Sequence, residues 1–336
     1  MSDTQFDDEI LDSNAISPTD EEGNPVPVTI PIALAPGVTV VYTTRLGGVS
    51  HGDFGDCNLG GKGGDDPQAI LANRVSLAKS IGCGLSLVSQ VHSGRAVDVD
   101  ASWHLNTPFG FDVSGTPGEV TADGEAQAAT VVEADGQVTS RAGVALGMFA
   151  ADCLPVLMAD AQAGVIGAAH CGRKGLQRGI IGATIDAMVA KGAAPERIAA
   201  TLGPCICGDC YEVGGDIADE FDAQFPGTFT LSRFGQPGID IAAAALQELA
   251  KAGVPADNIV SSRPRVNAAT QYLSEDEELA GICAADGEGD PKLSERFNKI
   301  RRSLCTLENP LWFSHRRASL AKKQHEGRML ALIVRE

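Results

Sequence analysis

Val144-Ala-Leu-Gly-Met-Phe-Ala150, Ala151-Asp-Cys153, Leu154-Pro-Val-Leu-Met158 and Val165-Ile-Gly-Ala-Ala169-His170 form the densest apolar region of the chain. Three runs of five to seven apolar residues are broken only by Asp and Gly. Each run is continuous rather than alternating, which predicts strands buried on both faces. Outward from this centre, Val38–Thr44 is rich in β-branched residues and reads as a strand. It runs into the Gly-rich loop Arg45-Leu-Gly-Gly-Val-Ser-His-Gly-Asp-Phe54. Residues 67–82 read as a helix, with Pro67 at its start, apolar residues at helical spacing and Gly82 as its stop. Leu85–Val99 reads as strand material. Helices are expected at about 176–191, 212–224 and 240–252, and strands at about 197–203 and 328–334. Strands and helices mix without a strict alternating repeat. The predicted fold class is therefore α/β of the α+β type: one domain of mixed β-sheets layered with helices around a core.

The 336 residues carry 44 acids and 26 bases, a net charge of −18. Most of that charge is local. Residues 1–44 hold eight acids and residues 275–290 seven, neither segment with a Lys or Arg, which leaves the rest of the chain at −3. Residues 1–36 read as a disordered acidic tail ending in a Pro-punctuated lead-in, and 37–336 as the catalytic domain. Segments 104–130 and 262–303 read as insertions. The acidity argues against nucleic acid or an anionic membrane as a partner but leaves room for an anionic co-substrate. The acidic N-terminus lacks the pattern of an export signal, and no apolar stretch is long enough to span a bilayer, so a cytoplasmic location is expected. The nine cysteines then read mostly as reduced thiols.

Two of the six histidines, His92 and His170, end apolar runs, and Cys153 sits where another run breaks. Taken singly, each matches an ordinary structural residue. As a set, two imidazoles and one thiolate suit zinc and leave a fourth position for water or substrate. The same ligands suit a blue-copper site if an axial Met is near, and Met148 and Met158 lie close to Cys153 in sequence.

Thr44-Arg-Leu-Gly-Gly-Val-Ser50, Asn58-Leu-Gly, Asn73-Arg74, Gln90-Val-His-Ser93, Ala151-Asp-Cys-Leu-Pro-Val156, Ala169-His-Cys-Gly-Arg-Lys-Gly175, Gly203-Pro204, Cys210-Tyr-Glu-Val-Gly214 and Phe313-Ser-His-Arg-Arg317 run in order along the chain. This series resembles the laccase-domain, or polyphenol oxidase, family, also described as purine nucleoside phosphorylases of that fold. The resemblance implies one zinc ion on His92, Cys153 and His170, with copper as a minor alternative. It implies phosphorolysis of adenosine, inosine and methylthioadenosine, with some adenosine deamination. Purine nucleoside and phosphate would be the partners. Some bacterial relatives are linked instead to a peptidoglycan-precursor editing amidase, in which Cys153 would be a ligand or a nucleophile with His170 as base. The older copper-oxidase or electron-transfer label fits poorly, because a multicopper centre needs more imidazoles than six histidines supply.

Phosphorolysis needs cations around a dianionic nucleophile. Arg45, before Gly47-Gly48, and Lys174, between Gly172 and Gly175, are the leading phosphate candidates, and Asn58 and Arg74 join them as substrate-binding candidates from the matching motifs. Asp152 is the candidate to accept a proton or orient water, and Glu212 an outside candidate for proton transfer in deamination. Where the family carries a Trp, this chain has Arg173, and Cys171 replaces a small residue. The exchange removes an aromatic wall and adds a cation. Cys205-Ile-Cys-Gly-Asp-Cys210 is a second thiol cluster, and without a fourth nearby ligand it reads as buried or redox-sensitive thiols. Of the C-terminal cations, Arg316, Arg317 and Arg328 could reach the phosphate, with a solvated basic face the expectation for most of them.

Overall fold

The computed structural model describes residues 19–101, 119–120, 126–127 and 132–336. In chain order the strands are β1 (Thr29–Ala35), β2 (Val38–Thr43), β3 (Gly84–Ser86), β4 (Ala96–Asp98), β5 (Glu119–Val120), β6 (Ala126–Gln127), β7 (Gly136–Thr139), β8 (Val144–Ala150), β9 (Leu154–Asp160), β10 (Val165–Cys171), β11 (Ala199–Leu202), β12 (Phe229–Leu231), β13 (Pro237–Ile239) and β14 (Met329–Arg335). The helices are α1 (Pro67–Ile81), α2 (Arg173–Gln177), α3 (Ile180–Ala190), α4 (Gly215–Gln224), α5 (Ile241–Lys251), α6 (Arg263–Tyr272), α7 (Glu277–Ala285), α8 (Leu293–Phe297) and α9 (His315–Leu320).

Two five-stranded mixed sheets carry the molecule. The first runs β1-β2-β14-β8-β3 and the second β11-β9-β10-β7-β4. Each is antiparallel except at one end, where β3 pairs parallel with β8 and β4 with β7. The sheets pack face to face. Val40, Leu146, Met148 and Ile333 of the first meet Leu157, Ala159, Ile166 and Ala168 of the second in one buried cluster. The outer face of the second sheet, with Val156, Met158 and Val165, is covered by α3, α4 and α5 through Ile181, Ile185, Phe221 and Leu249. The outer face of the first, with Val41, Ala145 and Leu332, packs on Leu77 of α1. The order of layers is therefore helix, sheet, sheet, helix. Alternate residues of β8, β9 and β10 face two different apolar layers, and this is why their sequences read as unbroken apolar runs. The expectation of mixed sheets layered with helices holds, with three apolar clusters in place of a single core.

The α1 boundaries match the sequence reading. Asp66 caps the N-terminus by accepting from the Gln68 amide, and Gly82 ends the helix in the left-handed region at φ 68°. Leu85–Val99 divides into β3 in one sheet and β4 in the other, so its middle is a crossover. The β8–β9 connection makes a second crossover between the same two sheets.

Two boundaries need correction. The acidic tail does not reach residue 36, because β1 occupies 29–35 with Ile30, Ile32 and Leu34 turned inward. Pro31 is compatible with this because β1 is an edge strand with one unpaired side. Residues 1–18, and most of the 104–130 segment, lie outside the described residues. Segment 262–303 is not a separate appendage. Val266 of α6, Leu279 and Ile282 of α7 and Leu293 of α8 pack into the inter-sheet core. Its acids hide that contribution in the sequence: Asp276 caps α7, and Asp286 is buried. Among the described residues, no helix is long and apolar enough to cross a membrane.

Candidate active site

Two of the sheet-to-sheet crossovers, β3–β4 and β8–β9, deliver candidate metal ligands to the same place. The turn Ala151-Asp-Cys153 leaves β8 in the first sheet and enters β9 in the second. Asp152 takes φ 96°, a conformation that L-residues rarely adopt. Its carboxylate holds the turn: Oδ1 accepts from the Thr306 hydroxyl at 2.6 Å and Oδ2 from the Arg316 amide at 2.7 Å. His92 lies on the β3–β4 crossover, also in the left-handed region at φ 57°. His170 lies near the end of β10, where the register sets it opposite Pro155.

The ligand atoms of His92, Cys153 and His170 all lie within 4.8 Å of one another. His92 Nε2 is 3.6 Å from Cys153 Sγ, and the two imidazole rings meet edge to face at 4.8 Å. Asp135, fully buried just before β7, organises the set. Its carboxylate accepts from the amides of His92 (3.0 Å) and Ser93 (2.5 Å) and from the Ser93 hydroxyl (2.7 Å), and it contacts His170 Nδ1 at 2.8 Å. That contact directs His170 Nε2 toward Cys153 as a donor of electrons to a metal. Asp135 was not singled out from sequence. Only its place before a strand, in a weakly patterned segment, marks it there.

The charges of the set are complementary. Burial works against ionising Cys153, but the His170 and His92 rings outweigh it and bring its pKa down to about 6. Burial would lower His170, yet Cys153 and Asp135 raise it to about 9. Burial of Asp135 is likewise outweighed, by His170 and Ser93, leaving its pKa at about 2. The pair is thus poised as thiolate and imidazolium, and a cation can replace the proton. Gly172 leaves the space: a Cβ there would lie 2.8 Å from His92 Cδ2 and 2.9 Å from Cys153 Sγ. The donor set and this cradle fit the one-zinc expectation. The neighbouring Cys171 points the other way. It packs in the outer apolar layer, and burial pushes its thiol well up. Met148 and Met158 are buried core residues, and neither lines the cavity described next.

Two chambers meet at this triad, sharing His92, Cys153 and Tyr211. The larger, about 940 Å³, is walled by the Gly60–Gly64 loop, Val88, Phe149, His315, Arg316, His325 and Arg328. The smaller, about 320 Å³, presents Arg173, Lys174 and Arg178. Lys174 is exposed, and its ammonium makes no hydrogen bond or ion pair among the described residues. Arg178 donates to the His92 carbonyl, and Arg173 donates to Gln177 at 2.9 Å.

The other candidates fall elsewhere. Arg45, expected at the phosphate, is 4% exposed and donates twice to Asp286, at 3.1 and 2.8 Å. Arg296 and Arg317 join the same carboxylate at 2.6 and 3.4 Å. Burial opposes the charge on Asp286, and the three guanidiniums, Arg45 foremost, hold it well below the usual carboxylate range. Arg45 is therefore a strut between the loop after β2 and the α7–α9 region. Arg74 is also fully buried: it donates to the Leu59 carbonyl at 2.7 Å and lies over the Phe149 ring. Asn58 is buried and shapes the Gly loop, accepting from the Gly60 and Arg328 amides at 2.9 and 2.8 Å. These two residues support the cavity wall and do not line it. Asp152 has both oxygens engaged, so its geometry is that of a positioning residue. Glu212 accepts from Ser232 at 2.6 Å, and its carbonyl takes Arg316 Nη2 at 2.6 Å. It holds a cavity cation and is not a wall residue. Arg316 and Arg328 line the larger chamber and Arg317 is buried, so none of the three belongs to a solvated basic face.

The family model described as multi-copper polyphenol oxidoreductase laccase matches residues 39–278. A protein of Streptomyces griseus named purine nucleoside phosphorylase ORF3 is 41% identical over 216 residues, 63% of this chain and 79% of that protein. A protein from an unknown prokaryotic organism named adenosine deaminase RL5 is 32% identical over 234 residues, 68% of this chain and 83% of that protein. The crystal structure of YlmD from Geobacillus stearothermophilus superposes with a TM-score of 0.64 at 28% identity, covering 89% of this chain and 92% of that one. The motif order, the fold and the match over most of the chain agree: the protein belongs to the multi-copper polyphenol oxidoreductase laccase family, the laccase-domain family of its sequence motifs.

Proposed function

We propose that the protein is a purine nucleoside phosphorylase holding one zinc ion on His92, Cys153 and His170, with adenosine, inosine and methylthioadenosine as substrates. The observation that carries this reading is the meeting of two chambers at the triad, a small one lined by Arg173, Lys174 and Arg178 and a larger one that adds Phe149 and Val88 to its own Arg316 and Arg328. The small chamber suits inorganic phosphate, with Lys174 as a point charge and Arg173 and Arg178 as planar donors. Arg173, where relatives carry Trp, strengthens that end at the expense of an aromatic surface. The larger chamber suits a nucleoside, a flat base packing on Phe149 or Tyr211 and an apolar 5′ group near Val88.

In the reaction a phosphate oxygen bonds to the anomeric carbon, the C1′–N9 bond breaks, and the purine leaves with the electron pair and takes up a proton. Zinc bound to the triad would act as a Lewis acid on the group under attack. The small chamber orients the nucleophile and offsets the mutual repulsion of anionic oxygens. His315 lines the larger chamber 3.0 Å from Glu326, which raises its pKa and keeps it protonated closer to neutrality. It is the wall residue suited to give the departing purine its proton. Asp152 acts through position by fixing the turn that presents Cys153.

Adenosine deamination is a second activity of the same site, a reading favoured by the deaminase name of one relative. Incubating the purified chain with adenosine, with and without phosphate, tests both. The expected products are adenine and ribose 1-phosphate in equal amounts and only with phosphate, beside a little inosine. Inosine alone would overturn the phosphorylase reading.

A further inference from the structure

The Cys205–Cys210 run takes on a different meaning once the fold is in place. A parallel bridge joins Cys205 to Cys305, with the Cys205 amide donating to Leu304 and the Thr306 amide to Cys205, each at 3.0 Å. This lays the C-terminal segment beside the Cys207–Cys210 turn, which is closed by the Cys210 amide donating to the Cys207 carbonyl at 2.9 Å. The segment adds Cys305 and, three residues on, Glu308. The three sulfurs and a Glu308 oxygen lie within 4.8 Å of one another, and all four residues are buried. Cys210 Sγ is 3.7 Å from Glu308 Oε1. Tetrahedral zinc with bonds near 2.3 Å sets its ligand atoms about 3.8 Å apart.

We propose that Cys207, Cys210, Cys305 and Glu308 form a second, closed zinc site, separate from the triad and independent of the catalytic reading. Four protein ligands fill a tetrahedron and leave no position for substrate, so the role is structural. The spacing is that of two short chelating arms, Cys-x2-Cys and Cys-x2-Glu. Thiolates select zinc over the hard cations. Binding forms three Zn–S bonds and one Zn–O bond and releases the thiol protons to solvent. The carboxylate is already oriented for this. Oε2 accepts from the Arg301 and Arg302 amides at 3.0 and 2.9 Å, while Oε1 faces the sulfurs. Three thiolates and a carboxylate exceed the charge of zinc by two. Arg233, 3.3 Å from Oε1, offsets part of that excess.

A disulfide explains the cluster less well, since it would pair two sulfurs, strand the third and give the buried carboxylate no part. The site has a place in the architecture. Cys305 precedes Thr306, which holds Asp152, and Cys210 precedes Tyr211, which both chambers share. A metal here would fasten the C-terminal segment to the wall of the active cavity.

The test uses the full chain carrying Cys153→Ser, which disables the triad. Elemental analysis should still find one zinc per chain, and X-ray absorption a shell of three sulfurs and one oxygen. Adding Cys210→Ser and Cys305→Ser should remove that zinc. In the wild-type chain, mass-spectrometric alkylation mapping should show Cys207, Cys210 and Cys305 protected with zinc and labelled after chelation. A Cys153→Ser protein with native circular dichroism but no zinc, a shell without sulfur, or identical alkylation before and after chelation would each overturn the proposal.

Discussion

Gly172 marks how tightly the triad is drawn. Its backbone is extended, at φ −71° and ψ 163°, so alanine is allowed there conformationally. The added methyl would nevertheless press on His92 and Cys153. We expect Gly172→Ala to weaken zinc binding about tenfold or more, with little change in the unfolding midpoint. Competition against a chromophoric chelator measures this, and an unchanged affinity would contradict the cradle. The triad itself was legible from sequence because His92, Cys153 and His170 each end an apolar run within a family motif. Arg45 and Arg74 lie in equally clear motifs, yet both are buried. A motif marks a residue type under constraint and does not reveal whether the constraint comes from substrate or from a carboxylate such as Asp286, 241 positions away from Arg45.

Among the elements, two crossovers build the site and one buried ion cluster braces the region beside it. Asp135, ahead of β7, ties the β3–β4 crossover to β10 through its contacts with Val91, His92, Ser93 and His170. Asp135→Asn should lower zinc affinity about 10–100-fold, because it weakens the orientation and basicity of His170; isothermal titration with zinc reads the change. The Asp286 cluster joins the loop after β2 to α8 and α9. Asp286→Ala would leave three guanidiniums unpaired in a buried space. We expect a loss of about 3–5 kcal/mol in urea unfolding, with the phosphate KM nearly unchanged in the protein that remains folded. A large rise in KM without loss of stability would return Arg45 to the phosphate. Elements with strong periodicity or caps, such as α1, were legible to within a residue. The α6–α8 segment was not, because seven acids between 275 and 290 outweigh its few core contacts in any composition-based reading.

For the molecule as a whole, the net charge of −18 does not divide simply into appendages and body. Asp286 is buried, and Glu278 is half-buried against the loop after β2. Burial and the nearby Asp56 raise the pKa of Glu278, whose Oε1 accepts from the Gly47 amide at 2.8 Å. An acid with a raised folded pKa favours folding most when protonated. Its contribution is therefore full below the usual carboxylate range and is lost as pH rises through the elevated value. Glu278→Gln should flatten that decline in a stability-versus-pH series, and an unchanged slope would remove Glu278 as its source. The layered sheets could be anticipated from the three apolar runs, but the pairing of two crossovers at one end is a property of topology that no local pattern carries. In the proposed reaction, phosphate enters through the chamber of Arg173, Lys174 and Arg178 to reach a nucleoside at the triad. The most direct test is the phosphate dependence of adenine release by the wild type and by Lys174→Met. We expect saturation with phosphate in the wild type and a KM for phosphate raised about tenfold in the variant, the loss of one charge-assisted contact. Equal phosphate KM values, or adenine release that does not depend on phosphate, would contradict it.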